Sequence, residues 1–174
     1  MVKNVTAQRL AEIENEDFRA KMDYALESSH VSVWSLDIEK NVVMRTLEHD
    51  RIFGYDTLLP LWTVETFFNH VYPDDLPMVS RHYETSKATQ SDFNLDLRIR
   101  RADGDIRWIS LTGTYRFAKS ETTRYVVGIV ADITDKKRAA LELEQLQAQL
   151  QQSQKMGSSL FQVGKPKLSL PLMR

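Results

Sequence analysis

Apolar and polar residues alternate strictly along residues 93–100, which is the pattern of a half-buried β-strand. The apolar positions are Phe93, Leu95, Leu97 and Ile99. A second strand-like run, residues 106–115, follows a short polar stretch that contains Asp103-Gly104. Because an Asp-Gly pair readily supplies the positive φ of a tight reversal, the pattern predicts an antiparallel hairpin.

Three further apolar runs predict strands on either side of this hairpin. Residues 31–38 and 42–47 are separated by a turn at Asn41 and are typical of another hairpin. The last run, "TRYVVGIVADIT", also alternates, and Gly128 within it marks a place where a backbone or ligand comes close. The alternating positions, which predict one face of this strand, are Tyr125, Val127, Ile129, Ala131 and Ile133.

Helical spacing of apolar residues predicts an amphipathic helix at the N-terminus, over residues 7–27. Its apolar positions are Leu10, Ile13, Phe18, Met22, Ala25 and Leu26. Between the hairpins we expect short helices over residues 51–55 and 64–71, and then a longer helix from Asp75. Asp74 or Asp75 would cap its free amides, with Pro77 in the first turn.

The segment after residue 134 has the spacing of a two-stranded coiled coil. Apolar or small residues recur alternately four and three positions apart, at Ala139, Leu143, Leu146, Leu150 and Ser153. A lone helix cannot bury this edge on a finished core, so we expect Leu143, Leu146 and Leu150 to pair with a second copy. The N-terminal helix offers a second dimer surface, or else packs on its own sheet. Periodicity ends at Met156, and residues 157–174 are interpreted as a flexible tail.

Composition excludes several classes of chemistry. Lysine plus arginine (23) nearly balances aspartate plus glutamate (24), so we expect no nucleic-acid partner. The absence of cysteine excludes disulfides, a thiol nucleophile and cysteine-ligated metals. Neither a signal peptide nor a membrane span is visible, which indicates a cytoplasmic protein. No phosphate-binding, zinc or serine-nucleophile motif occurs, so we expect no enzyme activity, no catalytic residues and no metal site in this sequence.

The order of these elements and five local motifs resemble a PAS domain, of the sensory type found in bacterial sensor histidine kinases. The motifs are "VSVWSLDI", "RIFGY", "VYPDDLPMV" with Tyr72 where histidine is usual, "RRADGDIRWI" and "GIVADIT". The resemblance implies an α+β fold, a five-stranded antiparallel sheet with short helices on one face. The division expected is an N-terminal helix (1–27), PAS domain (28–134), signalling coiled coil (135–156) and tail (157–174).

In such a domain the sheet and the short helices enclose a pocket. The residues expected to line it are Trp34, Phe53, Phe67, Phe68, His82, Trp108 and Ile129. These side chains would fill an ordinary ligand-free core equally well. His82 falls near the proximal histidine of haem-binding PAS domains, but we expect an ordinary half-exposed helix residue. Cysteinyl-flavin photochemistry is excluded, because the sequence has no cysteine. The identity of any cofactor stays open.

The resemblance implies that Asp132, Ile133 and Thr134 relay a signal from the sheet to the coiled coil. A plainer alternative is that Asp132 only caps the following helix. We expect a dimeric sensory module that acts on a kinase or similar output domain outside this sequence. In many sensor histidine kinases the helix with the phosphorylated histidine follows such a coiled coil, but no histidine follows His82. The alternative is a constitutive dimerisation or docking module whose core binds no ligand.

Overall fold

The computed structural model describes residues 2–117 and 124–162, and describes side chains within 5–21, 29–117 and 124–157. The described residues form five strands and five helices. In chain order these are α1 (Val2–Ser29), β1 (Val31–Asp37), β2 (Val42–Arg45), α2 (Leu47–Ile52), α3 (Val64–His70), α4 (Leu76–Thr89), β3 (Phe93–Arg100), β4 (Ile106–Phe117), β5 (Arg124–Asp132) and α5 (Thr134–Gln162). The predicted α+β class is confirmed.

The five strands form one antiparallel sheet in the order β2-β1-β5-β4-β3. The last strand in the chain, β5, lies at the centre of the sheet, between β1 and β4. The connecting segment also covers both sheet edges with hydrogen bonds. On β2, Val43 donates its amide to Trp62 O at 2.9 Å, and on β3 the carbonyl of Arg98 accepts from Tyr72 N at 2.9 Å. The edge strands are therefore shielded from pairing with other chains at these points.

Left-handed residues end helices and make turns where the sequence predicts reversals. Gly104, in the β3–β4 turn, has a φ of 90°, and Asn41, between β1 and β2, has a φ of 53°. His30 adopts the same region, with a φ of 53°, and separates α1 from β1. Both predicted hairpins are confirmed, with Arg98 opposite Trp108 in one and Leu36 opposite Val43 in the other.

The predicted cap of α4 is wrong. Asp75 occupies the N-cap position, but its carboxylate makes no capping hydrogen bond. It instead accepts from the Arg98 amide at 2.7 Å and from the Arg98 guanidinium at 2.6 Å, so it joins the helix start to β3. Asp74 lies mostly in solvent. A capping box is present one helix earlier, where Thr63 and Thr66 exchange side-chain and backbone hydrogen bonds at the start of α3.

The core lies between α2–α4 and one face of the sheet. Its largest fully buried side chains are Trp62, Phe53, Leu97, Ile99, Ile109, Val79 and Val130. On β5 the buried face consists of Val126, Gly128 and Val130, which is the opposite of the predicted face. Both faces of this strand are apolar, so a period of two shows that it is a strand without showing which side is buried.

The chain divides into two compact units, residues 1–134 and 135–174. In the first unit, every described α1 side chain from Val5 to Lys21 is exposed, including Leu10, Ile13 and Phe18. In the second unit, α5 continues to Gln162, six residues beyond the predicted end at Met156. The predicted tail is thus wrong for 157–162, while 163–174 lie outside the described residues. Among the residues described, no helix has the length and apolar character needed to cross a membrane.

Candidate functional site

A cavity of about 90 Å³ lies between the inner face of the sheet and helices α2–α4. Its lining is predominantly apolar, and every strand contributes at least one side chain. The lining residues are Trp34, Leu36, Val43, His49, Phe53, Trp62, Thr63, Val64, Phe67, Val79, His82, Tyr83, Phe93, Leu95, Leu111, Tyr115 and Val126. An apolar cavity with a few polar groups is the usual form of a small-molecule site.

Four of the seven predicted pocket residues line this cavity: Trp34, Phe53, Phe67 and His82. Three do not. Phe68 packs its ring against Phe67 and Tyr83 instead.

Trp108 and Ile129 lie on the outer face of the sheet, because the buried positions of β4 and β5 are their sequence neighbours Ile109 and Val130. Ile129 is 45% exposed and stands opposite Val33 of β1. Trp108 packs near the guanidinium of Arg98, 5.7 Å from its ring centroid. The prediction was correct about strands and wrong about faces.

His82 lines the cavity although its side chain is exposed. Its Nδ1 lies 3.0 Å from the carbonyl oxygen of Met78, one turn earlier on α4. Because a carbonyl oxygen only accepts, Nδ1 carries the proton in this contact and Nε2 is left as an acceptor in the neutral ring.

Two facing glycines allow aromatic rings to lie directly on the sheet. Gly113 of β4 stands opposite Gly128 of β5. A Cβ at Gly128 would overlap the Thr112 carbonyl oxygen and lie 2.6 Å from Cζ2 of Trp34, and a Cβ at Gly113 would overlap the Phe93 ring. The Trp34 and Phe93 rings stack with centroids 6.3 Å apart. The close approach expected at Gly128 is therefore made by the backbone of β4 at Thr112 and by the indole ring of Trp34.

A buried ionic network supports the α2 side of the cavity. Arg45 at the end of β2 binds both carboxylate oxygens of Asp50, at 2.7 and 3.0 Å. Asp50 also accepts from the amide of Leu59 at 2.7 Å, and Arg45 donates to the Leu59 carbonyl at 2.8 Å. The side chains of Arg45 and Asp50 are 6% and 0% exposed, so the pair is fully enclosed.

The surroundings of this network lower the pKa of the Asp50 carboxyl group and of the neighbouring His49 imidazole. Burial raises the pKa of Asp50, but hydrogen bonds from His49, Arg45 and Leu59 outweigh it and lower that pKa to about 2. Burial lowers the pKa of His49, which is therefore neutral at pH 7. Its Nδ1 lies 3.0 Å from the ionised Asp50 carboxylate and must donate, which leaves Nε2 as an acceptor.

Sequence reasoning missed His49, Trp62 and the ionic network. The stretch "RTLEHDRIF" overlaps the predicted strand at 42–47 and the predicted short helix at 51–55, but its polar residues carry no local sign of burial, because their partners are Leu59 and Trp62. The Trp62 ring packs edge-on against His49 at 4.7 Å and lies 5.2 Å from the Arg45 guanidinium. The sequence contained one indication of burial at this point, namely Trp62 itself, which lies between Pro60 and the capping box of α3.

The predicted relay residues form a compact set of hydrogen bonds. Thr134, the first residue of α5, donates its amide and hydroxyl to Oδ1 of Asp132, at 2.9 and 2.6 Å. The same hydroxyl accepts from the amide of Trp108 on β4 at 3.0 Å, and Ile133 donates to the Trp108 carbonyl at 2.8 Å. Asp132 therefore caps the start of α5 and, through the Thr134 hydroxyl, links β5 to β4 by hydrogen bonds.

The predicted dimerisation residues Leu143, Leu146 and Leu150 are exposed on α5. Within the part of the chain that the structure describes, no three His, Cys, Asp or Glu residues are grouped to hold a metal ion.

Residues 47–130 match the family model of the PAS fold. The chain contains a PAS domain. The match begins at α2, whereas the sheet of this PAS domain also includes β1 and β2, from Val31 onwards. The family resemblance predicted from the motifs is confirmed.

Relatives of this PAS domain occur in signalling proteins. A blue-light-activated histidine kinase of Brucella anthropi is 28% identical over 127 residues, which are 73% of this chain. The chain spans only about a quarter of that relative, since the match covers 25% of its length.

Solved structures that share the PAS fold include two from bacterial signalling proteins. A sensory box histidine kinase/response regulator from Burkholderia thailandensis E264 has a TM-score of 0.59 at 21% identity, covering 76% of this chain and 98% of the other. The N-terminal domain of a diguanylate cyclase with a PAS/PAC sensor from Marinobacter aquaeolei has a TM-score of 0.55 at 17% identity, covering 62% and 98%. At these identities the likeness describes the fold alone.

Proposed function

We propose that this chain is the sensory module of a signal-transduction protein, and that a small molecule bound in the cavity changes how two copies pair through α5. The observation that carries the proposal is that one strand, β4, serves both regions. It lines the cavity with Leu111 and Tyr115, and its backbone at Trp108 is hydrogen-bonded to Thr134, where α5 begins. A ligand that moves β4 therefore acts on the start of the helix.

The relay acts through a small number of bonds. The hydroxyl of Thr134 simultaneously donates to Asp132 and accepts from β4, so a shift of β4 along its neighbour strains or breaks one of these contacts. Such a tie allows two discrete arrangements, which a ligand biases by preferring one of them.

Dimerisation is proposed from the exposed seam of α5. Leu143, Leu146 and Leu150 recur at coiled-coil spacing and are all more than half exposed. Two parallel copies of α5 would bury these leucines against each other. Exposed Leu10, Ile13 and Phe18 on α1 provide a second apolar surface for the same homodimer.

The output is proposed from the relatives. A histidine kinase domain in the same or a partner protein is the output that we favour, because the Brucella anthropi relative carries that name. We propose no catalysis by this chain. Nor do we extend light activation to it, since without cysteine it cannot form a cysteinyl-flavin adduct.

The dimer is tested by matched leucine substitutions in α5. Leu146→Glu places a charge on the seam, while Leu141→Glu makes the same change off the seam; the two leucines are 57% and 55% exposed. Analytical ultracentrifugation should show a dimer for the wild type and for Leu141→Glu, and a monomer for Leu146→Glu. A wild-type monomer, or equal effects of both substitutions, would contradict pairing through this seam.

Sensing is tested by native mass spectrometry of the gently purified protein, followed by thermal unfolding with any adduct restored. We expect a defined extra mass, and a melting temperature that rises with ligand concentration because the ligand binds only the folded state. A dimer that carries no adduct and whose melting temperature is unchanged by any ligand offered would favour a constitutive docking module instead.

A further inference from the structure

The indole N–H of Trp34, a residue that lines the cavity, is buried without a hydrogen-bond partner among the described residues. Trp34 is 8% exposed, and its Nε1 atom has no partner among the residues that the structure describes. Buried tryptophan N–H groups ordinarily have an acceptor. Because Cζ2 of this ring rests against the space above Gly128 and the ring stacks on Phe93, the donor is held in a fixed orientation.

The other polar groups of the lining are bonded elsewhere or less deeply buried; His82 is exposed and is bonded through Nδ1 to the Met78 carbonyl. His49 is bonded through Nδ1 to Asp50, and Thr63 takes part in the capping box of α3. Tyr83 and Tyr115 are only partly buried. Asp50 is already paired with Arg45, so the wall presents no uncompensated charge. A charged ligand would lose its hydration without gaining a counter-ion, which is strongly unfavourable.

We propose that the cavity takes a small, uncharged and mainly apolar molecule with a carbonyl-type acceptor, and that Trp34 Nε1 donates to that acceptor. The proposal rests on the proposed sensory function, since it names the ligand class of the same site. Size narrows the class further. An apolar cavity of about 150 Å³ holds benzene, which has six non-hydrogen atoms, so one of about 90 Å³ suits roughly four.

An isosteric pair of probes separates the hydrogen bond from apolar burial. Acetone and 2-methylpropene each have four non-hydrogen atoms and the same shape, but only the ketone accepts a hydrogen bond. Each is titrated into the full chain labelled with ¹⁵N, and the indole N–H signals of Trp34, Trp62 and Trp108 are followed by NMR. The Trp34 signal is the one missing from Trp34→Phe, which keeps an aromatic ring and removes the donor.

We expect the ketone to move the Trp34 indole proton downfield and to bind the wild type about tenfold more tightly than the alkene does. In Trp34→Phe this preference should disappear, with the affinity for the alkene little changed. The wild-type shift is measured without any variant, so the test holds even if Trp34→Phe folds poorly.

The two possible failures are distinguishable. Equal binding of both probes by the wild type, or a ketone shift confined to Trp62 or Trp108, overturns the role of Trp34 and leaves ligand binding in place. Absence of binding by either probe at the highest concentrations that dissolve and leave the chain folded overturns the ligand class, and counts against small-molecule sensing by this cavity as well.

Discussion

Replacing Asp50 with asparagine tests the buried ionic network most directly. The substitution keeps the shape of the side chain and removes its charge, which leaves the Arg45 guanidinium enclosed without a counter-ion. Breaking a buried pair by removing one partner costs about 3–5 kcal/mol. A domain of this size has a total stability of roughly 5–15 kcal/mol, so Asp50→Asn should unfold at a much lower urea concentration.

The pH dependence of stability gives an independent magnitude. The Asp50 pKa falls from 3.8 to about 2 on folding, which corresponds to about 2.5 kcal/mol of stabilisation at neutral pH. Because the pKa is depressed in the folded state, this contribution is complete above about pH 4 and is lost as pH falls towards 2. The lowered pKa of His49 acts in the same direction, since stability declines below pH 6.5 as the unfolded chain takes up a proton.

The assay is equilibrium urea unfolding of the wild type, Asp50→Asn and a control, Asp105→Asn, from pH 7 to pH 3 at fixed protein concentration. Asp105 also pairs with an arginine, Arg107, at 2.7 Å, but these side chains are 49% and 28% exposed. Asp105→Asn should cost less than about 1 kcal/mol. Asp50→Asn should cost several times more and should flatten the acid end of the pH profile. If the two variants differ by less than about 1 kcal/mol, the network does not contribute what its burial implies.

Two further substitutions examine the cavity floor and the hydrogen bonds at the start of α5. Gly128→Ala should lower the free energy of unfolding in urea by about 1–3 kcal/mol, since its Cβ would meet the Thr112 carbonyl and the Trp34 ring. The control is Gly157→Ala, where a Cβ meets nothing, and this change should be neutral or slightly stabilising. Equal effects of the two substitutions would contradict the steric argument. Thr134→Val removes the hydroxyl that is bonded to β4 while keeping the volume of the side chain. It should lower the free energy of unfolding by about 1–3 kcal/mol and speed hydrogen exchange of the amides in the first turn of α5. Unchanged exchange there would mean that the hydroxyl does not hold the start of the helix.

The fold could be predicted from the sequence because its signals are local. The alternation in β3 and the glycine at 104 determine strand and turn within a few residues, and the structure matches both. The face of β5 could not be predicted in this way, since Val127 and Ile129 are as apolar as Val126 and Val130. That choice is made by which face meets the helices, which is a tertiary property.

The site was predicted only in part for a similar reason. Aromatic residues on regular elements, such as Trp34 and Phe67, were identified because large apolar side chains tend to be buried. Arg45 and Asp50 have the composition of a surface segment, and only their contact with the loop at Leu59 shows that they are enclosed. Long-range hydrogen bonds of this kind leave no periodic trace in a sequence.

The facing glycines at 113 and 128 also bear on how the volume of such a cavity can change over evolution. With no side chains of their own at the centre of the sheet, these positions leave the volume above them to rings that belong to other strands. Exchanging Phe93 for a smaller residue would deepen the cavity while the backbone register of β4 and β5 stayed intact. Cavity volume and sheet architecture are thereby determined at separate positions, so one can diversify while the other is preserved.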